Sequence, residues 1–399
     1  MENIISWLQL SFLFGGSVAG GKLLRKYRTA EAILSLDPTL LTHAGEITGA
    51  TADKLRRAPG LRARAQSVAA VCRNFGWQVL TPESKFYPQE FLFIKDPPYV
   101  VYAYGDLTCL TQRQKASVVG TRKPADKAMV AAYDLAAVLS QNGIVTVSGG
   151  ALGIDSAAHE GALLAGGPTV CVMGCGLGTD YLRENEALRR EIRANGALVT
   201  EYPPFTPASR YTFPTRNRLI SGMSLGVLVV EAGERSGSLI TAHRANEQGR
   251  EVFAIPGSVL TTAYKGANSL IRDGAKAVTC ARDVLAAFAM MYPDRLDLTK
   301  TGPLATEPPA APQTQPAAQT PAQPAVSEAP AAEKTKKVPA APLDPDAARV
   351  YNLFGGTPLH PDEIAAATGL SPAQLIPVLL QLTLADLIAP TDGGCYTLA

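Results

Sequence analysis

Residues 117–150 decide the fold, and they read SVVGTRKPADKAMVAAYDLAAVLSQNGIVTVSGG. Two short runs of mostly β-branched apolar residues, SVV and IVTV, flank a longer segment at 126–142 that has the apolar spacing of a helix. Continuous apolar runs joined through a helix are typical of parallel strands buried on both faces. The stretch therefore predicts a β-α-β unit.

The same alternation extends outward from Tyr99 to Met290. Further β-branched runs occur in the order TVCVMG, ALVTE, GVLVVEA, EVFAIPG and KAVT. Helices are predicted at 126–142, 155–165, 184–195, 216–223, 238–248, 267–273 and 281–290. Repeated alternation of this kind predicts an α/β fold with a Rossmann-like, doubly wound and mostly parallel sheet.

Composition and pattern divide the chain into four segments. Residues 1–80 carry short basic helical patterns, which predict a small helical domain of the sterile-α-motif or helix-hairpin-helix kind. The Rossmann-like core is predicted at 81–300. Residues 301–342 are rich in Ala and Pro, and we expect a disordered linker because such a segment cannot bury enough apolar surface to fold. Residues 343–399 show three helical patterns and a hairpin, which predict a winged-helix domain.

The longest helix predicted in the last domain, SPAQLIPVLLQLTLADLI, contains no Lys or Arg. A winged helix that reads DNA normally places basic side chains on this helix to meet phosphates. A regulatory or protein-binding role for the winged helix is therefore at least as well supported as DNA contact.

Overall composition excludes several classes of protein. The 399 residues carry a net charge of only +2, so a nucleic-acid binder of this composition must rely on a local basic groove. The six cysteines form no C-x-x-C pair and no His lies at zinc-finger spacing, so we predict no metal site. No stretch approaches eighteen uninterrupted apolar residues, which argues against membrane insertion. The apolar N-terminus lacks a preceding Lys or Arg, so it predicts a buried helix rather than a signal peptide.

Glycine, serine and arginine cluster where strands of the predicted sheet end, which is where ligands bind in doubly wound folds. Four segments carry them: Thr121-Arg122-Lys123, SGGALGIDSAAH at 148–159, FPTRNRLISGMS at 213–224 and GERSGSLITAH at 233–243. The overlapping segment SRYTFPTRNR at 209–218 has three arginines, Tyr211 and Phe213, and no acid. Glycines let backbone N–H groups approach an anion, and a following helix N-terminus favours negative charge. Basic side chains interleaved with aromatic ones suit a single nucleic-acid strand, because the charge meets the backbone and the ring stacks on a base.

The predicted DNA-binding residues are Gly120, Arg122, Ser148, Gly149, Gly150, Arg210, Phe213, Arg216, Asn217, Arg218, Ser236, Gly237 and Ser238. Each has a structural alternative, since glycine-rich turns also serve tight packing and arginines occur on ordinary surfaces. Asp155 and His159 share a predicted helix, and capping and packing explain them better than catalysis. Dinucleotide binding is disfavoured because the GCGLG run has Thr179 where a third glycine is required. We predict no cofactor.

Together these segments resemble the DNA-processing protein A (DprA/Smf) family. The resemblance rests on VVGTR at 118–122, VSGGALGIDSAAHEGAL at 147–163, FPTRNRLISGMS at 213–224, VVEAGERSGSLITAHRANEQGREVFAIPG at 229–257 and GANSLIRDGA at 266–275. The specific motifs cover about residues 80–285. On either side the resemblance holds only in architecture, with a small helical domain before and a winged helix after.

The resemblance implies a cytoplasmic protein that is not an enzyme. Such a protein binds and protects single-stranded DNA, forms a homodimer and loads the recombinase RecA during natural transformation, with single-strand-binding protein as a further possible partner. By motif position, Phe213 would stack a base while Arg122, Arg210, Arg216 and Arg218 would hold phosphates. The chain departs from the family pattern at Gly178 and Leu182, where an acid and a proline are usual, and at 125–128, where S-x-Y-G is usual.

Two other functions stay open at this stage. The same broad fold includes nucleotide-processing enzymes of the lysine-decarboxylase-like group, whose glycine run and catalytic glutamate have no counterpart in EAGERSGSLITA. A regulatory winged-helix protein with a vestigial pocket is the other alternative.

Overall fold

The computed structural model describes residues 2–112, 114–290, 344–355, 359–370, 372–385, 387–390 and 395–398. The described residues fall into a larger compact unit within 2–177 and 181–290 and a smaller one made of Gly178–Asp180 and residues within 344–398. The predicted linker at 301–342 lies outside the described residues, and the domain boundaries stay predictions.

Nine strands form the sheet of the larger unit. They are β1 (Gln78–Leu80), β2 (Val101–Gly105), β3 (Lys115–Val119), β4 (Val145–Ser148), β5 (Thr169–Val172), β6 (Ala197–Thr200), β7 (Gly226–Val229), β8 (Glu251–Ala254) and β9 (Lys276–Ala277). Their spatial order is β1-β2-β6-β5-β4-β3-β7-β8-β9. The pairs from β6 through β9 are parallel, whereas β1 and β2 add antiparallel pairs that the sequence pattern did not identify. The predicted doubly wound, mostly parallel sheet is confirmed.

The order of the strands places a topological switch point between β3 and β7. From β3 the chain builds outward through β4, β5 and β6, then returns to β7 beside β3 and builds outward the other way. The connections leaving the carboxyl ends of β3 and β7 diverge, which opens the crevice that ligands occupy in folds of this type.

Helices cover both faces of the sheet. Those of the core are α7 (Thr108–Thr111), α8 (Asp126–Gln141), α9 (Ile154–Leu164), α10 (Glu186–Asn195), α11 (Thr212–Gly222), α12 (Ser238–Glu247), α13 (Lys265–Arg272) and α14 (Ala281–Ala289). Successive strand residues alternate between two apolar layers, so Val118 packs in one layer and Val119 in the other. This double burial is why the strands read as continuous apolar runs rather than alternating ones.

The helical N-terminus packs against the sheet region within the same compact unit. It contains α1 (Glu2–Phe14), α2 (Val18–Tyr27), α3 (Ala30–Leu34), α4 (Pro38–His43), α5 (Gly49–Arg56) and α6 (Arg62–Asn74). Trp7 is fully buried with its ring centroid 5.7 Å from that of Tyr99. The Tyr99 hydroxyl donates to the Gly20 carbonyl at 2.8 Å. The apolar N-terminal run is therefore a buried helix, as predicted.

The smaller unit has the predicted winged-helix elements. Its helices are α15 (Pro345–Leu353), α16 (Pro361–Thr368) and α17 (Pro372–Leu384), and its strands are β10 (Ile388–Pro390) and β11 (Tyr396–Leu398). The two strands pair in an antiparallel hairpin. The residues that connect the two strands of the predicted hairpin, 391–394, lie outside the described residues.

Candidate functional site

A cavity of about 340 Å³ lies at the switch point and draws its lining from several strand-end loops. The predicted residues that line it are Gly120, Arg122, Phe213, Arg216, Asn217, Ser236, Gly237 and Ser238. Thr121, Ala151, Asp155, Ile240 and Thr241 also contribute to the lining. Segments from Val119 to Thr241 therefore meet around one space, as expected at the carboxyl ends of neighbouring parallel strands.

Phe213 presents an aromatic ring at this cavity. It lies in the first turn of α11, is half-buried, and has its ring centroid 5.4 Å from that of Tyr181. The ring packs so closely over Gly174 that a Cβ at that position would lie 2.6 Å from it. The guanidinium of Arg122 lies 5.3 Å from the ring centroid and that of Arg216 lies 5.9 Å from it. The cavity thus combines a ring with two cations.

Arg216 is anchored in the wall of the cavity rather than free at its rim. It is only 5% exposed. Its Nη1 donates to the Gly149 carbonyl at 2.9 Å and also to the Val172 carbonyl. Its Nε donates to Oδ1 of Asn217 at 3.1 Å. Burial lowers the pKa of Arg216, and the nearby Asp155 carboxylate opposes this effect. The side chain is therefore held in a fixed orientation beside Phe213.

The first glycine-rich loop, Ser148-Gly149-Gly150, does not line the cavity. The Asp155 carboxylate accepts hydrogen bonds from this turn, including one from the Ala151 N–H at 3.3 Å and one from the Gly149 N–H. Burial raises the pKa of Asp155, while Arg216 and these bonds lower it. The anion at this turn is the protein's own carboxylate, so the predicted phosphate contacts of the loop are not part of our proposal. Asp155 closes this turn and does not cap α9, because the N-cap is Gly153 and makes no side-chain capping hydrogen bond.

Two further polar groups of this loop are engaged within the protein. Ser148 is fully buried and its hydroxyl donates to the Val118 carbonyl at 2.7 Å. The Gly150 carbonyl accepts from Nδ2 of Asn185 at 3.1 Å. Near Asn185, Leu182 has φ +52°, a left-handed conformation that is uncommon for a branched side chain. The family departure at Leu182 thus falls on an unusual piece of backbone beside this loop.

The second glycine-rich loop, Ser236-Gly237-Ser238, opens onto the cavity. A Cβ added to Gly237 would meet no heavy atom within 4 Å. The loop leads directly into α12, whose N-cap is Gly237, and the Ser238 N–H donates to the Ser236 hydroxyl at 3.4 Å. The Ser236 and Ser238 hydroxyls lie 2.8 Å apart. Free space at a helix N-terminus next to two arginines is a favourable environment for an anion.

The structure places two of the predicted arginines away from the cavity. Arg218 is 2% exposed, forms an ion pair with Glu201 and has its Nε 3.4 Å from Oδ2 of Asp96. Its charge is used inside the protein, so a phosphate contact by Arg218 is not part of our proposal. Arg210 is exposed, and its guanidinium lies 4.8 Å from the centroid of the Tyr211 ring, outside the cavity lining.

Within the described part of the chain, no group of three or more His, Cys, Asp and Glu side chains could hold a metal ion. None of the described helices is both long and apolar enough to cross a membrane.

His159 is fully buried, with Nδ1 2.8 Å from the Thr169 hydroxyl, and burial lowers its pKa to about 3.

The fold and cavity define a class: a doubly wound α/β protein with a cavity at its switch point that is lined by an aromatic ring and two arginines, together with a winged-helix unit. Comparisons with known proteins agree. The sequence profile of a family described as DNA recombination-mediator protein A matches residues 78–289, and a profile described as DprA winged helix domain matches 334–394. The chain belongs to the DprA/Smf family.

Individual relatives match the same region. The chain is 42% identical over 217 residues to DNA processing protein DprA of Bacillus subtilis, covering 54% of this chain and 73% of that protein. It is 41% identical over 208 residues to protein Smf of Escherichia coli, covering 52% and 55% respectively. The X-ray structure of DNA processing protein A from Streptococcus pneumoniae matches with a TM-score of 0.54 and 36% identity, covering 63% of this chain and 92% of that one.

Proposed function

We propose that the chain binds single-stranded DNA in the cavity at the switch point and passes it to a RecA-type recombinase during transformation or recombination. The observation that carries the proposal is the Phe213 ring, whose centroid lies 5.3 Å from the Arg122 guanidinium and 5.9 Å from that of Arg216, in a cavity that the start of α12 also lines. A base can stack on such a ring while the neighbouring phosphates contact the arginine and the helix N-terminus.

The same chemistry favours a single strand over a duplex. A base can reach a half-buried ring in a cavity only when it is unstacked from its neighbours, and duplex bases are not. Stacking accepts any base, so we expect weak sequence preference. Fluorescence anisotropy with labelled single-stranded and duplex oligonucleotides at several salt concentrations tests this. Equal or tighter duplex binding at the same salt would contradict the proposal.

Phe213→Ala should cost about 1–3 kcal/mol of binding free energy per stacked base and leave the salt dependence nearly unchanged. The matched control is Phe93→Ala, because Phe93 is 84% exposed and lies outside the cavity lining. If both variants bind as the wild type does, Phe213 does not stack a base.

Arg122→Ala should lower the slope of log affinity against log salt concentration by about 0.7, the value for one lost phosphate contact on a single strand. Arg272→Ala is the control, since Arg272 is also exposed but lies on α13 outside this cavity. An unchanged slope for Arg122→Ala would remove that arginine from the DNA site.

We also propose that the chain protects the strand and delivers it to RecA. It forms a homodimer, is cytoplasmic and has no enzymatic activity of its own. Family membership supports these proposals. RecA filament assembly on a circular single strand coated with single-strand-binding protein should be faster with the wild type than with Arg122→Ala/Phe213→Ala, and this protein should not consume ATP. Equal rates would leave DNA binding without a loading role. Sedimentation of the purified chain tests the dimer.

A further inference from the structure

A second cavity, of about 490 Å³, adjoins the first at the loop after β3. Thr121 lines both cavities, and Arg235 of the second is followed in the chain by Ser236 of the first. The second cavity is open to solvent and lies among the loops that leave β3, β7 and β8. It therefore continues the same strand-end crevice across the switch point.

Three exposed cations line the second cavity: Lys123, Arg235 and Lys265. Among the described residues, none of these three forms an ion pair with a carboxylate, whereas exposed cations elsewhere do, as Lys276 does with Glu251 at 2.9 Å and Arg244 with Glu247 at 2.8 Å. Three unpaired cations brought together from three loops leave local positive charge that favours an anionic ligand.

Two carboxylates also line the cavity. Glu231 is 2% exposed, and its Oε2 accepts the Ala125 N–H at 3.3 Å. Its carboxylate also hydrogen-bonds the Tyr264 hydroxyl. Glu231 thus ties the loop after β3 to the Tyr264 region. Glu234 is exposed at the rim. The three cations outnumber the two carboxylates, and the buried one is already hydrogen-bonded.

We propose that the second cavity is a further phosphate subsite for the same single strand, which crosses the switch point over Thr121. This rests on the proposed function, because it extends the strand from the Phe213 cavity. Lys123, Arg235 and Lys265 contact phosphates of the nucleotides beyond the stacked base. No ring is among the residues that line this cavity, so it binds backbone rather than bases.

Oligonucleotide length separates the two subsites. We compare the full chain with Lys123→Ala/Lys265→Ala on thymidine oligonucleotides of about five and about fifteen nucleotides, within the range of strand lengths that single-strand binding sites cover. The double variant should bind the long strand roughly tenfold more weakly than the wild type does. Its slope of log affinity against log salt concentration should fall by about 1.4, the value for two phosphate contacts. The short strand, which can occupy the Phe213 cavity alone, should bind the variant and the wild type equally.

The matched control is Arg272→Ala/Lys276→Ala, which removes the same charge from exposed positions outside both cavities. The second subsite is overturned if Lys123→Ala/Lys265→Ala loses no more affinity for the long strand than the control does. It is also overturned if this variant loses equal affinity for both strand lengths. Arg122→Ala, measured in parallel, should weaken both lengths. If it weakens neither, the proposed function itself fails, whatever the lysine variant does.

Thymidine monophosphate and inorganic phosphate distinguish a strand from a free anion. Under the proposal, neither competes with the long oligonucleotide at concentrations far above its dissociation constant. The opposite result has two parts. Thymidine monophosphate or phosphate binds the wild type but not Lys123→Ala/Lys265→Ala, and this variant still binds the long strand as tightly as the wild type does. In that case the cavity takes a free nucleotide or phosphate, and the proposed strand path is wrong.

Discussion

Two glycine-rich turns of this protein look alike in sequence and differ in their surroundings. Ser148-Gly149-Gly150 and Ser236-Gly237-Ser238 each join a strand to a helix at the same edge of the sheet. The first encloses the carboxylate of Asp155, and the second faces the cavity with free space at Gly237. An anion-binding turn serves the fold when its anion is covalently part of the chain, and it serves a ligand when its anion must come from outside.

The largest effect is expected where the internal anion is removed. Asp155→Ala should lower the free energy of unfolding by about 3 kcal/mol, because the buried guanidinium of Arg216 loses its nearby carboxylate and the turn loses its acceptor. Urea denaturation measures this. Asp126→Ala is the control, since Asp126 is an exposed acid in the first turn of α8 and should cost less than about 1 kcal/mol. Equal costs would show that the first turn does not depend on its internal anion.

The pH dependence of stability sharpens the same side of the comparison. His159 lies one turn after Asp155 on α9, and its folded pKa of about 3 is below the unfolded value of about 6.5. As the pH falls below about 6.5, His159 becomes protonated in the unfolded chain but stays neutral in the folded chain. Folding stability therefore decreases below about pH 6.5. Between pH 8 and pH 5 we expect the free energy of unfolding of the wild type to fall by about 2 kcal/mol. His159→Gln should not show this decrease, whereas the control His243→Gln, at an exposed position, should show it. Identical pH profiles for the wild type and His159→Gln would contradict this.

Gly150→Ala tests the backbone of the first turn. Gly150 has φ +67°, and a Cβ there would lie 2.5 Å from Sγ of Cys171. The left-handed conformation alone costs a side chain about 1–2 kcal/mol. Thermal denaturation should therefore show a destabilised variant, and one as stable as the wild type would mean that this turn is less tightly packed than described.

Gly237→Ala is the counterpart in the second turn and should have the smallest effect on stability. The site has room for a Cβ and a φ of −63°, which alanine adopts freely. The added methyl group narrows the cavity, so we expect single-stranded DNA affinity to fall a few fold, by less than about 1 kcal/mol. Unchanged stability together with unchanged affinity would show that the second turn does not contact the strand.

Local pattern was sufficient for most of the fold. The predicted helix at 126–142 corresponds to α8 at Asp126–Gln141, and that at 238–248 to α12 at Ser238–Glu247. Apolar period and strand length carry this information within a few residues of sequence. The antiparallel strands β1 and β2 were missed because no α-helix lies between them, so the repeated strand-helix alternation does not mark them.

What the sequence determined by itself is the set of strand-end loops and their chemistry: glycines, serines, arginines and one aromatic ring, on a doubly wound sheet. Only the tertiary structure decided which of these groups a ligand can reach. Arg216 and Arg218 are two residues apart, roughly 200° around a helix of 3.6 residues per turn, so the helix turns one toward Phe213 and the other toward Glu201. Likewise, Asp155 is four residues from Ala151 in the chain, yet only the fold of the turn brings its carboxylate back onto the backbone N–H groups. Residue type and spacing establish which groups can bind an anion, whereas the packing of the whole sheet establishes which of them already do.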